Sequence, residues 1–487
     1  MVNWIRLTIT TLMTQNSGTH RSALFTLVTV WFFWGFVAAS NGILIPLFKE
    51  KFLLQQWQSQ LVDFAFYIAY TVGSILYFLI SALWKGDILN RIGYKNGIVF
   101  GLMISAVGTL IFIPAANAGS FALLLTGLFI VGLGFSLQQT ATQPYMIALG
   151  DPATGAQRIN LGGAMNNFGS TIGPVLVSVA IFGAVSEDAA QQATIDSVKI
   201  PYLVLGFLFV AIAWFFYRSP LPEIRNTEEI DIGFGALRHP QLILGMLGIF
   251  MYVGVEVTIG SNLGEFLYQT QQLDSSQVSP YISLFWGSMM MGRWTASIPN
   301  FPMSKRWRQI LLWVVPYVAF GIVLLVNALR GSDVTVMYPY AFCILFLILA
   351  FYLSEDKPVK TLIVFSGLGL VSVLIGLFTS GYIALFAFTS GGLFCSVLWP
   401  SIFSLGTAGL GKYTNQGAAF LIMMIIGGAV VPVIQGYVAD QVGIQPSYVV
   451  AIVCFGYLMF FGWRVRGVLK KQGIDFDQTV ASGKSGH

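Results

Sequence analysis

Long apolar runs separated by short polar connectors repeat along the chain from residue 23 to residue 466. Each run is about 20 residues, enough for a helix to cross a hydrocarbon core about 30 Å thick. A transmembrane barrel would instead need alternating segments of about ten residues, which the pattern does not offer. The pattern predicts fourteen helices: 23–46, 58–82, 97–115, 121–149, 160–184, 201–217, 241–267, 279–299, 309–328, 335–353, 359–378, 381–405, 414–437 and 447–466.

Composition agrees. The 487 residues are 56% hydrophobic and only 9% charged, with 52 glycines and 40 phenylalanines. Water-soluble domains carry about 25% charged residues. An all-α polytopic membrane protein with a lipid bilayer as its solvent is the expectation. Charge then sets topology. With the N-terminus in the cytoplasm, Lys85, Arg91, Lys95, Arg218, Lys305, Arg306, Lys412 and Lys470 all fall inside. Outside, only Lys49, Lys51, Lys199 and Arg330 remain. This is the positive-inside bias, and it puts both termini in the cytoplasm. The net charge of +5 is a topological signal and does not point to nucleic acid.

The polar stretch 218–240, RSPLPEIRNTEEIDIGFGALRHP, is a cytoplasmic linker that divides the chain. Residues 1–217 form a six-helix lobe, 241–466 a second lobe, and 467–487 a polar tail. The second lobe has two helices too many. The surplus lies at about 303–356, a bulky aromatic hairpin expected to face lipid at the periphery, where it offers a surface for another subunit. A single copy is otherwise the expected working unit. Two lobes around a central site are the architecture of alternating access.

The candidate chemistry is a set of uncharged polar groups inside apolar spans. Residues 132–174 hold Gln138, Gln139, Gln143, Asn160, Asn166 and Asn167. In hydrocarbon such amides must face protein, a ligand or a water-filled cavity. An amide both donates and accepts, which suits a neutral polyhydroxyl molecule; the same groups also serve as glue between helices. Asn41, Trp34 and Trp286 carry the same two readings, ligand contact or packing, and Gln416 adds another amide. Asp63 and Glu256 are the membrane carboxylates available to bind a proton or a sodium ion. Asp63 equally fits an exposed position at the outer mouth, and Glu256 the cap of a helix broken at Gly254, Gly260 or Gly264. Arg91, in a tight basic turn, and Arg293, at the inner end of its span, read as cytoplasmic latches. Cys343, Cys395 and Cys454 lie singly in apolar spans, so no metal site is expected. No nucleophile–base pair or nucleotide motif suggests an enzyme or a bound cofactor.

Several stretches resemble the fucose/glucose/galactose branch of the major facilitator superfamily: FFWGFVAASNGILIPLF, TATQPYMIALG, RINLGGAMNNFG, YVGVEVTIG, WPSIFSLGTAGLG and GAAFLIMMIIGGAVVPVIQGYVAD. GDILNRIGYK resembles the superfamily's loop between helices 2 and 3. The resemblance implies two pseudo-symmetric six-helix lobes, here with one inserted pair. It implies a multi-pass protein of the bacterial inner membrane that imports a neutral monosaccharide with a cation. Two departures matter. Fucose/proton members carry acids where this chain has Gly42 and Gln139, so the chain looks more like the glucose/galactose members, and its coupling ion is open. The expected sugar shell is Asn41, Gln139, Gln143, Asn160, Asn166, Trp286 and Gln416. Uncoupled facilitation, or an amino sugar or cell-wall saccharide as cargo, are the alternatives.

Overall fold

The computed structural model describes residues 21–83, 89, 92–149, 155–182, 194–222, 235–273, 277–298, 303–355, 357–410 and 413–474. Its longer helices are α1 (Arg21–Phe52), α2 (Leu61–Leu83), α3 (Tyr94–Leu110), α4 (Phe121–Ala148), α5 (Gly155–Phe182), α6 (Lys199–Arg218), α7 (Pro240–Gln271) and α8 (Ser279–Ser297). They continue as α9 (Lys305–Ala328), α10 (Ala341–Ser354), α11 (Pro358–Phe378), α12 (Gly381–Cys395), α13 (Leu398–Thr407), α14 (Thr414–Met423), α15 (Gly427–Val442) and α16 (Val449–Lys471). Local chemistry sets the ends. Ser120 and Ser304 accept from Leu123 N and Trp307 N to cap α4 and α9, and Pro240 opens α7 where a missing N–H costs nothing.

Twelve helical stretches among the described residues are long and apolar enough to span a bilayer, short of the fourteen expected. The other two are helices all the same. The apolar part of α2 is the shorter stretch Leu61–Tyr77. In α8, Ser279, Ser283, Ser288 and Arg293 dilute the apolar run, and nearly the whole helix is buried in protein. A helix wrapped by other helices needs no lipid-compatible surface.

Within the first lobe α1 packs along α5, and α3 along α4 and α6; within the second α7 packs along α15 and α16. Glycine makes the closest approaches. A methyl group at Gly35 would strike the Asn166 carbonyl, and one at Gly427 would strike the Phe250 carbonyl. The α1–α5 and α7–α15 pairs are thus built alike in the two lobes, backbone against backbone, as small residues permit in membranes. The lobes meet where α8 lies on α5, α7 on α1, and α15 on α2.

Among the described residues, two helix interruptions bear on the site. The break at Ser396–Val397 separates α12 from α13, so Pro400 falls in the first turn of α13. A short 3-10 turn, Met424–Ile426, precedes the Gly427–Gly428 pair that suggested a kink. By contrast α7 runs unbroken through Gly254, Gly260 and Gly264, so Glu256 caps no helix break. The α9–α10 hairpin faces outward over most of its apolar surface and packs its inner face on the lobe. Trp313, Leu325 and Phe342 are exposed, but Phe320, Val323, Asn327, Tyr340, Ile344 and Leu347 are buried against α8 and its neighbours.

Candidate functional site

A cavity of about 490 Å³ lies between the lobes. Its lining residues come from the middle of α1, α2, α4, α5 and α7. They continue down α8 through Arg293 and Ser297 to Pro358 and Thr361 at the start of α11. The cavity therefore runs from mid-height toward the end of the bundle where α11 begins. Its walls combine the aromatic side chains Trp31, Trp34, Tyr67, Tyr70, Trp286 and Trp399 with the amides Gln139 and Asn166.

The polar groups on this wall are held in place. Gln139 hydrogen-bonds Tyr70, and the Tyr67 and Tyr70 rings stack at 6.2 Å. Asn166 Nδ2 donates to the Trp31 carbonyl at 3.1 Å, and Trp31 and Trp34 lie 5.0 Å apart, tilted by 49°. The Trp31 indole N–H has no partner. That N–H is itself buried, its indole edge lying over Gly162 of α5, and a buried donor without a partner costs about 1–3 kcal/mol. Across the cavity, Arg293 donates from Nε to the Ser396 carbonyl and from a terminal nitrogen to Tyr252 Oη, both at 3.2 Å. The break in the α12–α13 helix frees that carbonyl. Glu256 lines the same cavity one helical turn from Tyr252. Cation and carboxylate compensate each other, and the wall presents little net charge.

Gln138 is not on this wall. It is fully buried; its Oε1 accepts from Trp34 Nε1 at 3.0 Å and its Nε2 donates to Ser105 at 3.1 Å. Of two adjacent amides, one is glue and one faces the cavity. Of the expected sugar shell, the structure brings Gln139, Asn166 and Trp286 together. The side chains of Asn41, Gln143, Asn160 and Gln416, and all of Arg91, lie outside the described residues. Arg293 stands in the cavity, because the peptide freed at Ser396 and the phenol of Tyr252 draw its guanidinium inward. Sequence reasoning missed Trp31 and Tyr252. Each sits at helical spacing from a residue it did single out: Trp31 three before Trp34, and Tyr252 four before Glu256.

The other end of the lobe interface is closed by polar contacts. Asp63 accepts from Ser261, and Lys49 pairs with Glu265. Gln56 Nε2 donates to Asn262 Oδ1 at 2.9 Å. The Asp440 carboxylate takes the backbone N–H groups of Gln56 and Trp57 at 2.8 and 3.0 Å. Asp63 and Gln60 thus sit in this seam, away from the cavity lining. Among the described residues no three His, Cys, Asp or Glu side chains converge as a metal site would require.

The sequence pattern of the Major Facilitator Superfamily matches residues 30–354. A glucose/galactose transporter of Brucella abortus is 35% identical over 454 residues, covering 92% of this chain and 95% of its own. A putative glucose/galactose transporter of Helicobacter pylori is 31% identical, covering 90% and 95%. The crystal structure of the Escherichia coli fucose:proton symporter superimposes with a TM-score of 0.61 at 24% identity, covering 92% of this chain and 99% of that one. The chain belongs to the major facilitator superfamily. Within it, the chain is a member of the family of these glucose/galactose and fucose transporters, closer by identity to the glucose/galactose members.

Proposed function

We propose that the protein carries a neutral hexose of the glucose/galactose type across the bacterial inner membrane by alternating access. The observation that carries this reading is the wall itself. Indole and phenol faces suit the apolar faces of a sugar ring, and fixed amides suit its hydroxyls. The glucose/galactose relatives support the same cargo. Asn41, Gln143, Asn160 and Gln416 complete the shell with Gln139, Asn166 and Trp286.

In this reading α2 and α8 are full spans, giving fourteen helices: a first lobe at 1–217, a linker at 218–240, and a second lobe at 241–466 that includes the 303–356 hairpin. Both termini and the 467–487 tail are cytoplasmic, which makes the closed seam the outer end and the cavity inward-facing. Arg91 serves as a cytoplasmic latch, and the protein works as a monomer. Glu256 is the coupling carboxylate, binding a proton or a sodium ion beside the sugar, and Asp63 contributes by making and breaking the outer seam. Uncoupled facilitation is the second reading. It is favoured by the Arg293 cation, which lines the same cavity as Glu256 and can balance the acid in place of a transported ion.

The test is uptake of labelled glucose into proteoliposomes with sodium and proton gradients imposed separately, and galactose, fucose and N-acetylglucosamine as competitors. Accumulation above equilibrium under one gradient, abolished by Glu256→Gln while downhill uptake persists, supports symport and names the ion. Equilibration alone under both gradients supports the facilitator. Unchanged uptake in Gln139→Ala and Asn166→Ala proteins would sink the proposed site.

A further inference from the structure

The α9–α10 hairpin is joined to the second lobe by buried polar bonds. Asn327 Nδ2 donates to Ser283 Oγ at 3.3 Å, and Ser283 Oγ in turn donates to the Thr171 carbonyl of α5 at 2.7 Å. The Tyr340 and Ser288 hydroxyls share a hydrogen bond of 2.7 Å. Within the hairpin Tyr317 Oη donates to the Ala341 carbonyl at 3.2 Å. Val323 fills the space over Gly287, where even a methyl group would collide with it. Polar groups inside a membrane need partners, and these find theirs on α8 at the place where α8 meets the other lobe. The hairpin is therefore a fixed part of the lobe.

Its last turn reaches the transport cavity. Phe351 and Ser354 both line it, next to Pro358 and Thr361. Phe351 is held edge-on to Phe365, with ring centroids 5.2 Å apart at 70°. Ser354 is buried and bonds back to the Phe351 carbonyl at 3.0 Å. The chain then turns through Glu355, whose φ is 51°, and Glu355 pairs with Lys357 at 3.1 Å and Lys360 at 2.5 Å. These bonds fix where α10 ends relative to α11.

We propose that the inserted hairpin forms part of the wall of the sugar path, and that Phe351 is a specificity-determining residue at the end of the cavity toward which cargo leaves. The proposal rests on the sugar-transport reading for its cargo, though not for its geometry. An aromatic side chain at this rim limits the width available to a passing ring and offers it a face to lie against. The hairpin thereby grades cargo by size.

Two measurements on the full-length protein test this. In a background with Cys343, Cys395 and Cys454 replaced, Phe351→Cys and the lipid-exposed Phe346→Cys are treated with a water-soluble maleimide. We expect Phe351→Cys to react at least about tenfold faster, and saturating glucose to slow it. In proteoliposomes, Phe351→Ala should raise the half-saturating glucose concentration roughly 2- to 10-fold and admit labelled maltose, which wild type should exclude. Phe346→Ala should do neither. Equal labelling at the two positions, labelling that glucose leaves unchanged in a protein that transports glucose, or Phe351→Ala uptake identical to wild type would each overturn the proposal. Wild-type protein that takes up none of these sugars would overturn the sugar reading, while fast labelling of Phe351→Cys would still support the hairpin as a wall.

Discussion

Two polar regions inside this membrane protein are built from the same residue types and are arranged in opposite ways. At the seam, carboxylates and amides meet partners across the lobe interface: Lys49 with Glu265, Asp63 with Ser261, Gln56 with Asn262, and Asp440 with two backbone N–H groups. In the cavity, the polar groups are anchored on their own wall, as Asn166 is by the Trp31 carbonyl. Polar groups paired across an interface in a low dielectric hold the two sides together, whereas groups anchored on one wall leave the space in front of them open to a ligand. The seam can be satisfied in one state of the transporter and must be given up in the other.

The largest effect should come from the seam. Glu265 is nearly buried, with 5% of its side chain exposed, and Lys49 is its ion-pair partner. Removing one member of a buried pair costs about 3–5 kcal/mol. Partial exposure of Lys49 and the bond from Gln269 to Glu265 put this case at the low end. A shift of about 3 kcal/mol changes the closed-to-open ratio roughly a hundredfold. Lys49→Met should therefore open the seam, and Lys49→Met with Glu265→Gln should largely close it again. The readout is a membrane-impermeant maleimide applied from the seam side to Val257→Cys, which lines the cavity. An unchanged rate in Lys49→Met would show that the pair does not hold the seam.

The division between regions also explains what the sequence made legible. Apolar length located the helices, and positive charge suggested their order across the membrane, because both are local properties of the chain. The cavity was partly legible: Gln139, Asn166, Trp286 and Glu256 are polar or aromatic where lipid would want neither, and they converge. The seam was not. Lys49 and Glu265 are 216 positions apart, and each alone reads as a charge near a helix end. Their pairing depends on how two lobes meet, which no periodicity within one helix records. The hairpin's inner face was hidden for a related reason. Its outward residues are apolar as lipid requires, while Asn327 and Tyr340 meet α8 through single atoms that carry little weight in a hydropathy pattern.

Gln138 and Gln139 sharpen the comparison within one turn of one helix. Gln138→Ala strands the buried indole N–H of Trp34, while the Ser105 hydroxyl keeps its bonds to the Gly101 and Val131 carbonyls. That should cost about 1–3 kcal/mol of stability, seen as a lower melting temperature in detergent, with glucose affinity nearly unchanged in the protein that folds. Gln139→Ala should do the reverse: little change in melting temperature, and a half-saturating glucose concentration raised roughly 2- to 12-fold by the loss of about 0.5–1.5 kcal/mol. If both variants shift the same observable, the separation of glue from site collapses.

The finest test is Trp31→Phe, which keeps an aromatic face and deletes only the unpartnered N–H. Folding alone should not suffer, since no bond within the protein is lost and a buried unsatisfied donor is removed. Apo protein should melt at or slightly above the wild-type temperature. Binding should suffer if that N–H meets a sugar oxygen, by about 0.5–1.5 kcal/mol, or roughly 2- to 12-fold in affinity. Trp34→Phe is the control with the opposite signature, because its N–H is already spent on Gln138: it should lower the melting temperature and leave affinity nearly alone. Stability and affinity that move in opposite directions at Trp31, and not at Trp34, would mark the Trp31 N–H as reserved for cargo. A Trp31→Phe protein that melts lower and binds glucose as wild type does would place Trp31 among the structural residues and leave Gln139 and Asn166 to carry recognition.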